Sequence, residues 1–123
     1  MTQPPPLTDR SALLRHRARG MARADHDDAM FLHRIALSDI KERLIEVNRT
    51  FTAPAVVTGF PDFWRDLRAD AVVVRDDELL ALTPGAHDLV IHAMALHWAN
   101  DPVGQLVQCR HALRPDGLFL GLM

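Results

Sequence analysis

Short runs of β-branched and apolar residues alternate with helical patterns from Pro54 onward, and this alternation most constrains the fold. Ala55–Gly59, Ala71–Val74, Asp88–Met94 and Leu118–Met123 are each brief, strongly apolar and bounded by turn residues. Continuous apolar runs, as opposed to alternating ones, are typical of strands buried on both faces of a parallel sheet. Because helical patterns separate the runs, the sequence predicts an α/β fold with a doubly wound parallel sheet.

Two helices are predicted ahead of the sheet. The first begins near Arg10, with Thr8 or Asp9 as its cap, and the second runs from Asp27 to about Asn48. We expect a disordered, proline-rich lead-in over 1–7, a helical segment over 8–50 and a partial nucleotide-binding domain over 51–123. The apolar residues of the second helix recur at steps of three and four, which predicts one buried face: Phe31, Leu32, Ile35, Ala36, Ile40, Leu44 and Val47.

The first predicted helix is rich in arginine and poor in acids. Such a start fits an organelle presequence, a phosphate-binding stripe or a solvated basic face, and general charge patterning favours the solvated face. The residues concerned are Arg10, Arg15, Arg17, Arg19 and Arg23.

Bulk properties exclude several classes of protein. The net charge is −2 and the pI about 6.4, so no general affinity for nucleic acid or for acidic membranes is expected. The apolar runs fall well short of the roughly 20 residues needed to span a bilayer. Cys109 is the single cysteine and cannot form an internal disulfide, which favours a reducing cytoplasm.

Shorter elements are predicted from local signals. Phe60–Arg68 has room for a two-turn helix, and Pro102–Leu113 forms a helix capped by Asn100 or Asp101. A turn is expected at 115–117, where proline, aspartate and glycine follow one another.

Candidate binding residues lie at the carboxyl ends of the predicted strands, where doubly wound folds bind their ligands. Thr58 and Gly59 follow the first strand, and a glycine there allows close approach to the backbone. Asp76 and Asp77 follow the second strand, where a carboxylate can accept hydrogen bonds from ribose hydroxyls or an adenine amino group. Gly59 can equally be a simple turn residue.

The second half of the chain resembles class I S-adenosylmethionine-dependent methyltransferases. The resemblance rests on Asp88–Ile91, Ala95–Trp98, Asn100-Asp101 and Leu113–Phe119, in that order. It is strongest to the branch with malonyl-carrier-protein methyltransferases and methyltransferase-like complex I assembly factors. The resemblance implies a Rossmann-like fold, here truncated after its fourth strand, and S-adenosylmethionine as cofactor.

The resemblance also implies roles for single residues. Asp76 or Asp77 would be the acid beside the adenine, following the third strand of the family. On a second register the same acid would bind the ribose, as in dinucleotide folds. Ala93, Met94 and Trp98 would lie near the methionine end of the cofactor. His97 would orient a substrate or act as a base, although packing is the plainer reading of the His97-Trp98 pair.

The first loop departs from the family pattern of an acid followed by a glycine-rich run. Val57–Pro61 stands there instead, and Pro61 lacks an amide donor. The sequence therefore leaves open a methyltransferase, a non-catalytic assembly or binding protein and, least favoured, a dinucleotide oxidoreductase. The methyl acceptor would be a carrier-bound acyl group or a protein, and self-association through an open sheet edge is expected.

Overall fold

Four parallel strands form one sheet, in the order β2-β1-β3-β4. The computed structural model describes residues 6–22 and 30–122. The strands are β1 (Pro54–Thr58), β2 (Val72–Arg75), β3 (His87–Ala93) and β4 (Leu113–Leu122). The chain winds to both sides of β1, as in a doubly wound sheet, so the predicted α/β class is confirmed.

The register places the carboxyl ends of the first three strands side by side. Thr58, at the end of β1, pairs with Arg75 of β2 and with Ala93 of β3. All three strands run in the same direction, so the loops that follow them open onto one edge of the sheet. The crevice expected from the sequence therefore has the strand arrangement it requires.

Helices lie on both faces of the sheet; two precede β1, one connects β1 to β2, and one connects β3 to β4. They are α1 (Arg10–Ala22), α2 (Phe31–Val47), α3 (Pro61–Trp64) and α4 (Pro102–Ala112), with a 3-10 helix at Leu96–Trp98. Two caps match the prediction. The carboxylate of Asp9 accepts a hydrogen bond from the Ala12 amide at 3.1 Å, and that of Asp101 accepts one from Gly104 at 2.9 Å.

Two apolar layers, one on each face, form the core. Ile40 of α2 and Trp64 of α3 pack on the face that contains Leu89 and Ile91. On the opposite face Cys109 and Ala112 of α4 pack with β1 and β3. Each large apolar side chain buried in these layers contributes about 1.5–3 kcal/mol to stability.

The buried face of α2 is narrower than the periodicity predicts. Ala36 and Ile40 are buried, but Phe31, Leu32 and Ile35 are more than half exposed. Apolar residues at steps of three and four cover two adjoining faces of this helix, and only one of them meets the sheet. The start of the predicted second helix, over 27–29, lies outside the described residues, as does most of the lead-in over 1–7. The division at residue 50 stays a prediction.

Two shorter predictions are wrong in detail. The helix expected over 60–68 stops at Trp64 and continues as turns. The turn expected at 115–117 is a bulge within β4, because His87 pairs with Leu113 and Leu89 already pairs with Leu118. The intervening residues of β4 bow outward from the ladder, which lets the strand begin directly after α4.

Candidate functional site

The candidate site lies where the chain changes direction across the sheet. From β1 the chain passes to β2 on one side, and it then crosses to β3 on the other side of β1. Such a reversal leaves a crevice outside the strand ends, which is where open α/β sheets bind ligands. Gly59, Asp76 and Met94 are residues that follow β1, β2 and β3 at this edge.

The loop after β1 is tightly held. The Thr58 hydroxyl oxygen accepts a hydrogen bond from the Phe60 amide at 3.1 Å, and Pro61 occupies the first turn of α3. Gly59 is buried, and a Cβ at this position would collide with the guanidinium of Arg17. The glycine thus permits a close approach to the backbone, and the group that approaches it here belongs to α1.

The same guanidinium is bound to the acid that follows β2. Arg17 donates to the two carboxylate oxygens of Asp76, with Nη1 to Oδ1 at 2.8 Å and Nη2 to Oδ2 at 2.9 Å. Only 9% of the Arg17 side chain and 3% of the Asp76 side chain are exposed. Arg10 adds a second cation, with its Nη1 at 3.7 Å from the carboxylate. This is a bidentate, charge-assisted pair in a largely water-free setting.

The pKa of Asp76 reflects these contacts. Burial alone would raise the pKa of this carboxyl. The hydrogen bonds and charge of Arg17, together with the charge of Arg10, outweigh burial and hold the pKa below its ordinary value. Asp76 is therefore a carboxylate at neutral pH.

Arg17 corrects the sequence interpretation of the basic helix. Arg15 and Arg19 are exposed, as a solvated face requires. Arg17 is buried, and Arg10 donates to the Asp76 carbonyl oxygen at 3.2 Å. The helix thus presents two cations to the sheet, because the acid they pair with lies at the strand edge below them. Arg23 lies outside the described residues.

A cavity of about 650 Å³ opens between α1, α2 and the ends of β1 and β3. Its volume is in the range of small-molecule sites. The lining is mostly apolar, and it includes three predicted site residues, Met94, His97 and Trp98. Met94 adopts a left-handed conformation with φ of 57°, and its amide donates to the Leu122 carbonyl at 2.9 Å. This bend ends β3 and turns the next residues toward the cavity.

A second cavity of about 440 Å³ lies beside the first, over Gly59 and Arg75. Arg17 and Phe60 line both cavities. The guanidinium of Arg17 therefore borders both cavities. The larger cavity lies over the ends of β1 and β3, and the smaller one lies over the ends of β1 and β2.

His33 is a cavity residue that the sequence interpretation missed. Its Nδ1 accepts a hydrogen bond from the indole Nε1 of Trp64 at 3.1 Å, so its proton is on Nε2. Burial, aided by the charge of Arg17, lowers the pKa of His33 and keeps the ring neutral at pH 7. No local signal separates this histidine from exposed ones, because it lies in the helical pattern one position after an exposed leucine.

The comparison with protein families decides the class. Residues 20–121 match the family described as "Methyltransferase domain". The chain belongs to this family. A solved S-adenosylmethionine-dependent methyltransferase from Thermotoga maritima shares the fold, with a TM-score of 0.54 and 13% identity over 79% of this chain and 56% of that one.

Curated relatives of this methyltransferase domain are longer proteins. The mitochondrial arginine-hydroxylase NDUFAF5 of Danio rerio is 30% identical over 100 residues, which are 81% of this chain and 26% of the relative. The human protein of the same name is 41% identical over 51 residues, 42% of this chain and 15% of that protein. The matched part of the chain thus corresponds to about a quarter of the length of the zebrafish relative and to 15% of the length of the human one.

Four predicted site residues of this methyltransferase domain line neither cavity: Thr58, Asp76, Asp77 and Ala93. Ala93 is fully buried within the core layer below the site. The Asp77 side chain is 62% exposed, with Arg10 at 3.9 Å, and its carbonyl accepts from Gln105 at 2.7 Å. Asp76 is the acid that Arg17 holds beside Gly59, and β2 lies directly beside β1, which is the strand position of the ribose acid in dinucleotide folds.

The described residues contain neither a cluster of metal-ligand side chains nor a membrane-spanning helix. Across residues 6–22 and 30–122 no group of three or more histidine, cysteine or acidic side chains is placed to hold a metal ion. No helix in these ranges has the length and apolar character to cross a membrane.

Proposed function

We propose that this chain is the cofactor-binding part of an S-adenosylmethionine-dependent methyltransferase. The observation that carries the proposal is the cavity of about 650 Å³ at the switch point between β1 and β3. A pocket at this position, in a chain of the methyltransferase domain family, is where a nucleotide-type cofactor of a doubly wound fold binds.

The residues around the crevice fit such a cofactor in kind. Asp76 is a carboxylate at the end of the strand beside β1, suited to accept hydrogen bonds from the two ribose hydroxyls, and the nearest group above the Gly59 backbone is the guanidinium of Arg17. Pro61 and Phe60 make the loop poorer in amide donors than a glycine-rich turn. The residues proposed to contact the cofactor are Gly59, Asp76, Met94 and Trp98. Thr58, Asp77 and Ala93, which the sequence also predicts, lie outside the cavities.

Methyl transfer needs little acid–base catalysis from the protein. Bound S-adenosylmethionine supplies an activated methyl group, and the protein has to align the acceptor with it. The apolar lining excludes water, and His97 in the cavity orients the acceptor or takes its proton. A carrier-bound acyl group or a protein side chain is proposed as the acceptor. Cys109, buried as a free thiol, fits a reducing compartment such as the cytoplasm.

The test is calorimetric titration with S-adenosylhomocysteine. The wild-type chain is expected to bind, and Trp98→Ala is expected to weaken binding about tenfold because an aromatic wall of the cavity is lost. Phe31→Ala is the matched control, since Phe31 is similarly exposed but does not line this cavity. Equal affinity of both variants would place the ligand elsewhere. Absence of binding at millimolar ligand, with Arg17 present or removed, would refute the cofactor function.

A non-catalytic assembly or binding protein is the second candidate. It is favoured by Arg17, which fills the space over Gly59 and satisfies Asp76 without any ligand. A chain of this kind would keep the ion pair permanently and bind no adenosyl compound. Self-association through the edge of β4 would be measured by light scattering, and a monomer at every concentration would contradict it.

A further inference from the structure

We propose that Arg17 is an internal occupant of the cofactor crevice, and that an adenosyl ligand binds only after Arg17 has left Asp76 and Gly59. This inference rests on the proposed cofactor function and adds a regulatory step to it. α1 then acts as a gate, closed by one side chain.

The first support is chemical similarity between the occupant and the ligand. A guanidinium presents two parallel N–H donors to a carboxylate, and two neighbouring ribose hydroxyls present two O–H donors to the same oxygens. In this structure both oxygens of Asp76 are taken by Arg17, at 2.8 and 2.9 Å. With this pair formed, only 3% of the Asp76 side chain is exposed, so a ribose has no access to the carboxylate.

The second support is the space itself. The guanidinium lies where a Cβ on Gly59 would be, directly over the backbone that a ligand would approach. It also lines both the 650 Å³ cavity and the 440 Å³ cavity. Withdrawal of Arg17 would remove one of the two side chains that line both cavities, the other being Phe60, and widen the crevice along the ends of β1, β2 and β3.

The contacts of α1 make the withdrawal feasible. Leu13 and Arg17 are its buried side chains among residues 10–19, and Leu14, Arg15 and Ala18 are exposed. Few apolar contacts therefore hold the helix, and the ion pair is its main polar anchor. Segments with few buried contacts open at low free-energy cost.

The experiment compares Arg17→Ala with Arg15→Ala in the full chain, titrated with S-adenosylhomocysteine. Arg15→Ala removes the same charge from the same helix, but at an exposed position. Arg17→Ala is expected to bind at least tenfold more tightly than wild type, or about 1.4 kcal/mol, because the ligand no longer displaces the guanidinium. Arg15→Ala is expected to match wild type.

Equal or weaker binding by Arg17→Ala, with wild type binding normally, would overturn the gate and leave the cofactor function intact. No binding by any of the three proteins would overturn both. Arg17→Gln serves if the alanine variant does not fold. In wild type, hydrogen exchange of residues 10–19 is expected to rise on saturation with ligand, since the helix loses its anchor. Unchanged or slower exchange there would also contradict the gate.

Discussion

A double-mutant cycle on Arg17 and Asp76 measures the ion pair that closes the crevice. Removing one partner of a buried pair typically costs about 3–5 kcal/mol, because a charge is left buried without compensation. Asp76→Ala leaves Arg17 without its carboxylate, so we expect a loss of about 3–5 kcal/mol. Arg17→Ala is expected near the lower limit of about 3 kcal/mol, because Arg10 lies 3.7 Å from Asp76 and compensates in part.

The double variant is expected to lose much less than the sum of the two single losses. Both charges are then absent and no buried ion remains, so the coupling free energy should reach about 2–3 kcal/mol. The assay is urea unfolding followed by the fluorescence of Trp64, which is fully buried. The exposed pair Arg43 and Asp39, 3.0 Å apart on α2, is the control and should show no measurable coupling. Coupling no larger than in this control would refute the buried pair and remove the anchor of α1.

The pH dependence of the same pair has a definite sign. The pKa of Asp76 in the unfolded chain is about 3.9. In the folded chain the pKa of this carboxyl is lower. The unfolded chain therefore binds the proton first as pH falls, so the pair stabilises the fold above about pH 3.9 and loses its contribution below it. Asp76→Ala should accordingly show a flatter loss of stability in this acid range than wild type.

Three further predictions follow from individual contacts. Gly59→Ala should cost about as much stability as Arg17→Ala and add nothing to it, because the new Cβ displaces the guanidinium; additive losses in urea unfolding would contradict this. Burial lowers the pKa of His92 despite its hydrogen bond to Gln105, so stability should fall as pH drops below about 6.5, and His92→Leu should weaken this dependence in thermal melts and leave the part due to His33. Burial raises the pKa of Cys109 to about 11, so the native thiol should react with a disulfide reagent at pH 8 only as fast as the chain unfolds; rapid labelling would show that α4 is open.

The strands could be predicted from the sequence because their residues leave few alternatives. β1 is buried at every position, and all but one residue of β3 is buried. Runs of this kind are compatible only with the middle of a covered sheet. The outer strands were predicted less well, since β2 has no buried residue and β4 begins at Leu113, before the expected turn.

The buried face of α2 could not be predicted with the same accuracy. Phe31 and Ile40 both fit a repeat of three and four, yet Phe31 is exposed and Ile40 is 1% exposed. The sequence repeat predicts that the helix has an apolar side. It does not predict which part of that side meets the sheet and α3, because their positions depend on residues far along the chain.

The burial of Arg17 could not be predicted from the local sequence, for a related reason. Its neighbours Arg15 and Arg19 have the same charge and the same helical context, and both are exposed. What separates Arg17 is Asp76, which is brought to it only by the completed sheet. Charge patterns give the average behaviour of such helices, and a single buried exception depends on one long-range partner.

A glycine and an acid at neighbouring strand ends describe the shape of a site and do not identify its occupant. Gly59 and Asp76 were assigned to a ligand on chemical grounds, and the same chemistry suits the guanidinium of Arg17. The decision between the two is a competition of free energies. If the charge-assisted pair contributes about 1.5–3 kcal/mol, roughly one in ten to one in a hundred molecules have Arg17 withdrawn from Asp76. The apparent affinity for the ligand is reduced by the same factor, because only these molecules can bind it. The ligand affinity of this methyltransferase domain is therefore set by α1 as much as by the crevice.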